Sequence, residues 1–166
     1  MKQETDNQIA VDRMRYTKNK FSSNMAILAI LFNVFYFVNI YKSDVSDYYY
    51  NILIGGSIVF NLLYLLLAFL ASEEVKQYNE KYCYVLIAMG LVQFIRIFII
   101  PMQAHSAVVT IAKVERQVMY TSQFMRCVIY LVLSGACCIA GGIVGVKLSR
   151  TLKAYQATLG EEKRRD

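Results

Sequence analysis

The sequence predicts an all-α membrane protein: four transmembrane helices in an antiparallel bundle, with an amphipathic helical stretch in the third connection. Three observations predict it. The composition is 57% hydrophobic and only 18% charged, where soluble domains carry about 25% charged residues. Four apolar runs stand out, at residues 21–41, 49–71, 82–100 and 127–146. The charges fall between these runs, with Arg96 the one clear exception. At 166 residues the chain has a one-domain length.

Each run is long enough for a helix of roughly 29 to 35 Å, which matches a hydrocarbon core of about 30 Å. Lipid offers no water to backbone groups, so a spanning segment must satisfy them internally. The runs are continuous rather than alternating, which excludes a β-barrel. Residues 1–20 are polar and hold both signs of charge. The first run is therefore expected to stay as an anchor rather than be cleaved as a leader.

The connections differ in kind. Residues 42–48 force a tight hairpin between the first two spans. Residues 72–81 hold Glu73, Glu74, Lys76, Glu80 and Lys81 and read as a solvated turn. The third connection, residues 101–126, opens on Pro101, the only proline, which ends the third helix. Within it Ala107, Val108, Ile111, Val114, Val118 and Met119 recur at helical spacing. Thr110, Lys113, Arg116, Gln117 and Tyr120 take the other face. An amphipathic helix is expected there, in the interface plane or as an extension of the fourth span. His105, the only histidine, is expected at its surface.

Lysine and arginine set the orientation. Thirteen lie on one side: Lys2, Arg13, Arg15, Lys18 and Lys20; Lys76 and Lys81; Lys147, Arg150, Lys153, Lys163, Arg164 and Arg165. Four lie on the other: Lys42, Lys113, Arg116 and Arg126. The positive-inside rule then puts both termini in the cytoplasm, and the expected location is a plasma or inner membrane. The domain plan is a cytoplasmic segment at 1–20, a transmembrane domain at 21–147 and a cytoplasmic basic tail at 148–166. The net charge of +6 is not a sign of nucleic-acid binding, because the basic residues sit at the ends of apolar runs. With no tryptophan, tyrosines supply the interfacial rings: Tyr41, Tyr48, Tyr49 and Tyr50 at one side, Tyr78, Tyr82 and Tyr84 at the other.

Arg96 is the sharpest candidate site. It lies inside the third run, with Gln93 one turn before it. An arginine at the centre of a span costs about 2.5 to 3.5 kcal/mol on insertion scales, and less near the interface. Three fates are open for it. It snorkels to headgroups about 6 Å away; it pairs with Asp44 or Asp47 of the first connection; or it meets an acidic group on a partner or ligand. Asn33 and Asn61 lie near mid-span in the first two helices and are expected to hydrogen-bond across the hairpin. Tyr36, Ser57 and Tyr64 lie close to them. The string F-N-x-x-Y occurs at Phe32–Tyr36 and again at Phe60–Tyr64. Apolar helices repeat such strings readily, and the match does not extend into whole halves as an inverted transporter repeat requires.

The fourth span carries two rows of small residues, Ser134, Cys138, Gly142 and Cys137, Gly141, Gly145. Such rows let helix backbones approach closely in lipid. They serve packing within this bundle or contact with another subunit. The four cysteines, Cys83, Cys127, Cys137 and Cys138, form no C-x-x-C pair and read as small apolar packing residues.

The residues argue against several functions. No Asp, Glu or His lies inside any run, and proton-coupled carriers need such a group in the membrane. No nucleophile and base converge, no catalytic residue is assigned, and neither a cofactor nor a metal is expected. The expected function is a non-catalytic integral membrane subunit, accessory or scaffold, packed against a larger complex such as a transporter. The alternative is a small homo-oligomeric channel or transporter, whose pore would need a polar stripe along several helices. The expected partners are the lipid bilayer and other membrane subunits or further copies of the chain.

Overall fold

The computed structural model describes residues 9–41, 51–106, 108–111, 114–117 and 119–165. After a helical turn at 9–14, the elements are α1 (Lys20–Ile40), α2 (Asn51–Lys76), α3 (Glu80–Ile99), a short α4 (Pro101–Ser106), β1 (Val108–Ile111), β2 (Val114–Gln117) and α5 (Thr121–Arg165). Four helices are long and apolar enough to cross a membrane: α1, α2, α3 with α4, and α5. Their outer faces fit lipid. On α2 alone, Leu62, Leu63, Leu66, Phe69 and Leu70 are exposed.

Asparagine starts two of the spans. Asn19 caps α1 by accepting from the Ser22 amide at 3.2 Å, and its own amide donates to the Lys76 carbonyl at 3.0 Å. The beginning of α1 is thereby tied to the end of α2. Asn79 caps α3 by accepting from the Lys81 amide, and its side-chain amide holds Glu74 at 3.0 Å. Between α2 and α3, Tyr78 takes a φ of 60°, the left-handed conformation that closes a helix. Its amide donates to the Val75 carbonyl at 3.1 Å. A non-glycine residue there is strained, and this turn needs one residue in that region to reverse the chain in so few steps.

Contacts along the helices set the two ends of the bundle. Ser23 meets Ser72 at the end where α1 begins, and Tyr41 meets Ser57 at the opposite end. The first is the tail end, from which α5 leaves; the second is the cap end. α5 is central. It packs on both α1 and α3, whereas α2 packs mainly on α1, less on α3 and least on α5. The tail-end core holds Ala26, Ala29, Ala71, Val75, Cys83, Leu86 and Cys138. The cap-end core holds Tyr36, Ile40, Ala104, Met119, Cys127 and Leu131.

The third connection departs from expectation. Pro101 does end α3, but it also occupies the first position of α4, where its missing N–H is not needed. Beyond it the chain is not an amphipathic helix. β1 and β2 pair antiparallel, with Val108 opposite Gln117 and Ile111 opposite Val114. Val108, Val109, Thr110, Ile111 and Val114 are β-branched, and such side chains favour extended backbone over helix. Met119 then turns inward, fully buried in the cap-end core. His105 is half-buried rather than a free surface residue. It stacks on Phe124 at 4.7 Å, with Nδ1 3.3 Å from the Met119 carbonyl.

Residues 148–165, expected as a tail, continue α5 as helix to Arg165. At the tail end Glu80 accepts from Arg150 at 3.0 Å and from Lys153 at 2.7 Å. Tyr155 reaches Asp12 at 3.5 Å. The extension is thus braced against both α3 and the segment that precedes α1.

A buried arginine hub as candidate functional site

Three helices each present two residues one turn apart: Asn33 and Tyr36 on α1, Asn61 and Tyr64 on α2, Gln93 and Arg96 on α3. A spacing of three puts both side chains on one helix face. The three faces converge. Arg96 is 6% exposed; Asn33, Tyr36 and Gln93 are fully buried, and Asn61 and Tyr64 nearly so.

The guanidinium is the centre. Nη1 donates to Asn33 Oδ1 at 3.0 Å and to Gln93 Oε1 at 2.8 Å, and Nη2 donates to Asn61 Oδ1. Aromatic rings cover its faces. Cζ lies 4.8 Å from the Tyr36 centroid, 4.9 Å from Phe60 and 5.9 Å from Tyr64. Amide oxygens and ring quadrupoles both favour a cation. Every one of these partners is neutral, and among the described residues no carboxylate lies within ion-pair distance of Arg96. Asp44 and Asp47, considered above as partners, lie outside the described residues. Arg96 does not reach for the headgroups. The amides of α1 and α2 hold it inside the bundle.

Asn33 and Asn61 are joined through Arg96, each by its side-chain oxygen, rather than directly to one another. Asn61 Nδ2 is used within α2, donating to the Ser57 carbonyl at 2.9 Å. Gln93 Nε2 donates to both Asn33 Oδ1 and Ser134 Oγ at 3.0 Å. Ser134 in turn donates to the Ala29 carbonyl at 2.9 Å and contacts the Tyr64 hydroxyl at 3.3 Å. Tyr64 also lies 3.4 Å from Cys138 Sγ. The network therefore links all four spans. Two buried polar atoms in it have no hydrogen-bond partner among the described residues, Asn33 Nδ2 and the Tyr36 hydroxyl.

The small-residue rows of α5 face this chain's own helices. A Cβ on Gly142 would meet the Cys83 carbonyl at 2.8 Å, and one on Gly145 would meet Cys83 Sγ at 2.6 Å. Gly141 lies against Ser22 and Met25 of α1. Ser134 and Cys138 join the polar network, and Cys137 borders the tail-end core. Sequence reasoning missed Gly90 of α3, whose Cβ would lie 2.8 Å from the Gly135 carbonyl. It also missed Phe60 as a ring over the cation, and Ser134 as a polar junction rather than a merely small residue. The available signal for the hub was the repeated F-N-x-x-Y string. Four of its residues, Asn33, Tyr36, Asn61 and Tyr64, with the second phenylalanine, surround Arg96.

Chemically the hub can hold an anion or fix helix register. It offers donors and a cation but no nucleophile with a base. Among the described residues no three His, Cys, Asp or Glu side chains gather as metal ligands. No family model, no curated protein and no solved structure matches the chain.

Proposed function

We propose that the chain is a non-catalytic subunit of a larger membrane assembly such as a transporter, and that its last helix is the docking arm. One observation carries the reading. α5 runs for 45 residues without a break, about 67 Å of helix, more than twice a hydrocarbon core of roughly 30 Å. An isolated polar helix in water is marginal. This one is supported by Glu80, Arg150 and Lys153 and by the contact of Tyr155 with Asp12. A stiff arm held at a set angle is of use to a scaffold and of none to a simple anchor.

The proposed placement is an antiparallel bundle with both termini in the cytoplasm of a plasma or inner membrane, which rests on the basic asymmetry of the sequence. The arm then lies in the cytoplasm. The alternative, a small homo-oligomeric channel or transporter, needs a polar path across the bilayer. Ala26, Ala68, Ala71 and Leu86 are fully buried between the hub and the Ser23–Ser72 pair. That counts against a pore along the axis of one bundle.

The test is purification of the full chain from its own membrane in mild detergent, beside a form lacking residues 156–166, which retains the Glu80 brace. The expected result is a stoichiometric membrane partner with the full chain, absent from the shortened form, at equal thermal stability. A chain that purifies alone, or a partner indifferent to the truncation, overturns the reading. Orientation is checked separately. With the native cysteines replaced, Gly160→Cys should react with an impermeant thiol reagent only after the membrane is opened, and Val45→Cys without opening. The reverse pattern overturns the placement.

A further inference from the structure

We propose that Arg96, Asn33 Nδ2 and the Tyr36 hydroxyl form a binding site for a small monovalent anion in the interior of the bundle. The site is independent of the arm and of any partner subunit. Its first support is the two donors. Asn33 and Tyr36 are both fully buried, one turn apart on α1, and neither Asn33 Nδ2 nor the Tyr36 hydroxyl has a hydrogen-bond partner among the described residues. The orientation of the Asn33 amide is fixed by its neighbours. Its oxygen accepts from both Arg96 and Gln93 at 3.0 Å, so the remaining atom must be the nitrogen, a donor. Buried donors without acceptors are rare and call for a physical explanation. The second support is charge. Among the described residues the guanidinium bonds only to neutral oxygens, so a full positive charge stays in a low-dielectric interior.

A single occupant answers both demands. An anion accepts from Asn33 Nδ2, whose amide already touches Arg96, and from the hydroxyl of the ring that lies 4.8 Å from the guanidinium. It also cancels the charge. Water would satisfy the donors and leave the charge as it is. A divalent anion would replace one net buried charge with another of opposite sign, so the site favours a monoanion. Chloride and a carboxylate group share this chemistry. The route in is the seam between α2 and α3, which pack on each other far less closely than α3 packs on α5. Phe60 covers Arg96 there and is itself 40% exposed.

The full chain in detergent provides the test. A thiol-reactive dye follows unfolding, because Cys83, Cys127 and Cys138 are buried and become reactive when the bundle opens. Sodium chloride replaces sodium sulfate at constant ionic strength, and sodium acetate replaces it in a parallel series. Sulfate stabilises folded proteins generally, so a rise in melting temperature as it is withdrawn runs against the ordinary salt effect. The expected result is a saturable rise of several degrees with chloride or acetate. The more effective of the two identifies the occupant as halide or carboxylate. Tyr36→Phe keeps the ring over Arg96 and removes only the hydroxyl. It should need at least about tenfold more anion for the same rise, the loss expected for one hydrogen bond to a charged group. Arg96→Leu should not respond at all; if it fails to fold, Tyr36→Phe still decides. A melting temperature that neither anion raises, or a Tyr36→Phe titration that overlays the wild type, overturns the proposal.

Discussion

In the tail half of the bundle the helices touch through backbone, and in the cap half they touch through polar side chains. Gly142 brings α5 against the α3 backbone with no room for a methyl group, Gly145 lies against Cys83 Sγ and Gly141 closely approaches the α1 backbone at Ser22, while Ala26, Ala29, Ala68 and Ala71 are fully buried in the same half. Toward the cap the same helices are held apart by larger groups, Arg96, Gln93, Tyr36 and Tyr64, joined by hydrogen bonds and ring contacts. Ser134 stands between the two regimes, small enough for the glycine row and polar enough to join Gln93 to the Ala29 carbonyl. Lipid tails are as apolar as leucine, so burial of apolar surface does not drive helices together in a membrane. Close packing and polar contacts remain, and this chain uses one in each half. The halves should therefore fail differently: the tail half by crowding, the cap half by stranded polar groups.

The largest effect is expected at Arg96. Arg96→Leu removes the cation and its desolvation cost. It also strands the side-chain oxygens of Asn61 and Gln93, while that of Asn33 keeps a second donor, Gln93 Nε2. An unsatisfied buried polar group costs about 1 to 3 kcal/mol, so a net loss on the order of 3 kcal/mol is expected, read as a lowered melting temperature in detergent. Arg96→Lys should fall between wild type and Arg96→Leu. An ammonium supplies donors, but it lacks the planar fork and the flat face that lies over the rings. If Arg96→Lys and Arg96→Leu both melt like the wild type, the hub does not hold the cap half together.

Crowding comes next. Gly142→Leu places a branched side chain where a single Cβ already lies 2.8 Å from the Cys83 carbonyl and 2.5 Å from Ile87 Cγ1. Backbone cannot move aside as a flexible side chain does, so α3 and α5 must separate. Overpacking of this kind costs about 1 to 3 kcal/mol, and no salt or anion should restore it. A variant that melts normally and keeps its assembly would show that the tail half tolerates separation, and the contrast between the halves would dissolve.

The spans were legible because length and apolarity carry them directly: 21 residues for α1 and 20 for α3 satisfy the bilayer whatever they touch. The small-residue rows of α5 were legible as close-packing faces, but not their partners, because a small residue does not name what it lies against. The hub was half legible. Arg96 and Gln93 stood out by charge and spacing, and Asn33 and Asn61 by polarity in an apolar run. Their convergence was hidden, because it depends on how far α1, α2 and α3 slide past one another, which periodicity within a single helix cannot fix. The repeated F-N-x-x-Y string was the trace of it. The β1–β2 hairpin was hidden for a different reason: positions 107 to 119 satisfy a helical period by chance, while their β-branched content favours extended backbone.

The smallest expected effect uses one chemical change at two glycines. Gly90 and Gly55 are both inside helices, α3 and α2. In an exposed helix interior, alanine is more favourable than glycine by about 0.8 to 1.0 kcal/mol, because glycine gives up more backbone freedom on folding. At Gly55 nothing lies within 4 Å of an added Cβ, so Gly55→Ala should realise that gain and raise the melting temperature slightly. At Gly90 the same Cβ would sit 2.8 Å from the Gly135 carbonyl and 2.6 Å from Ile139 Cγ1. The propensity gain is the same there, but α3 and α5 must part to admit the methyl group, and a displaced backbone contact outweighs it. Gly90→Ala should therefore lower the melting temperature. Opposite signs for one substitution would separate close packing from helix propensity as the reason for glycine at each position. A rise at both would mean that the approach of α3 to α5 at Gly90 is not what holds the tail half together, and would leave propensity as the common cause.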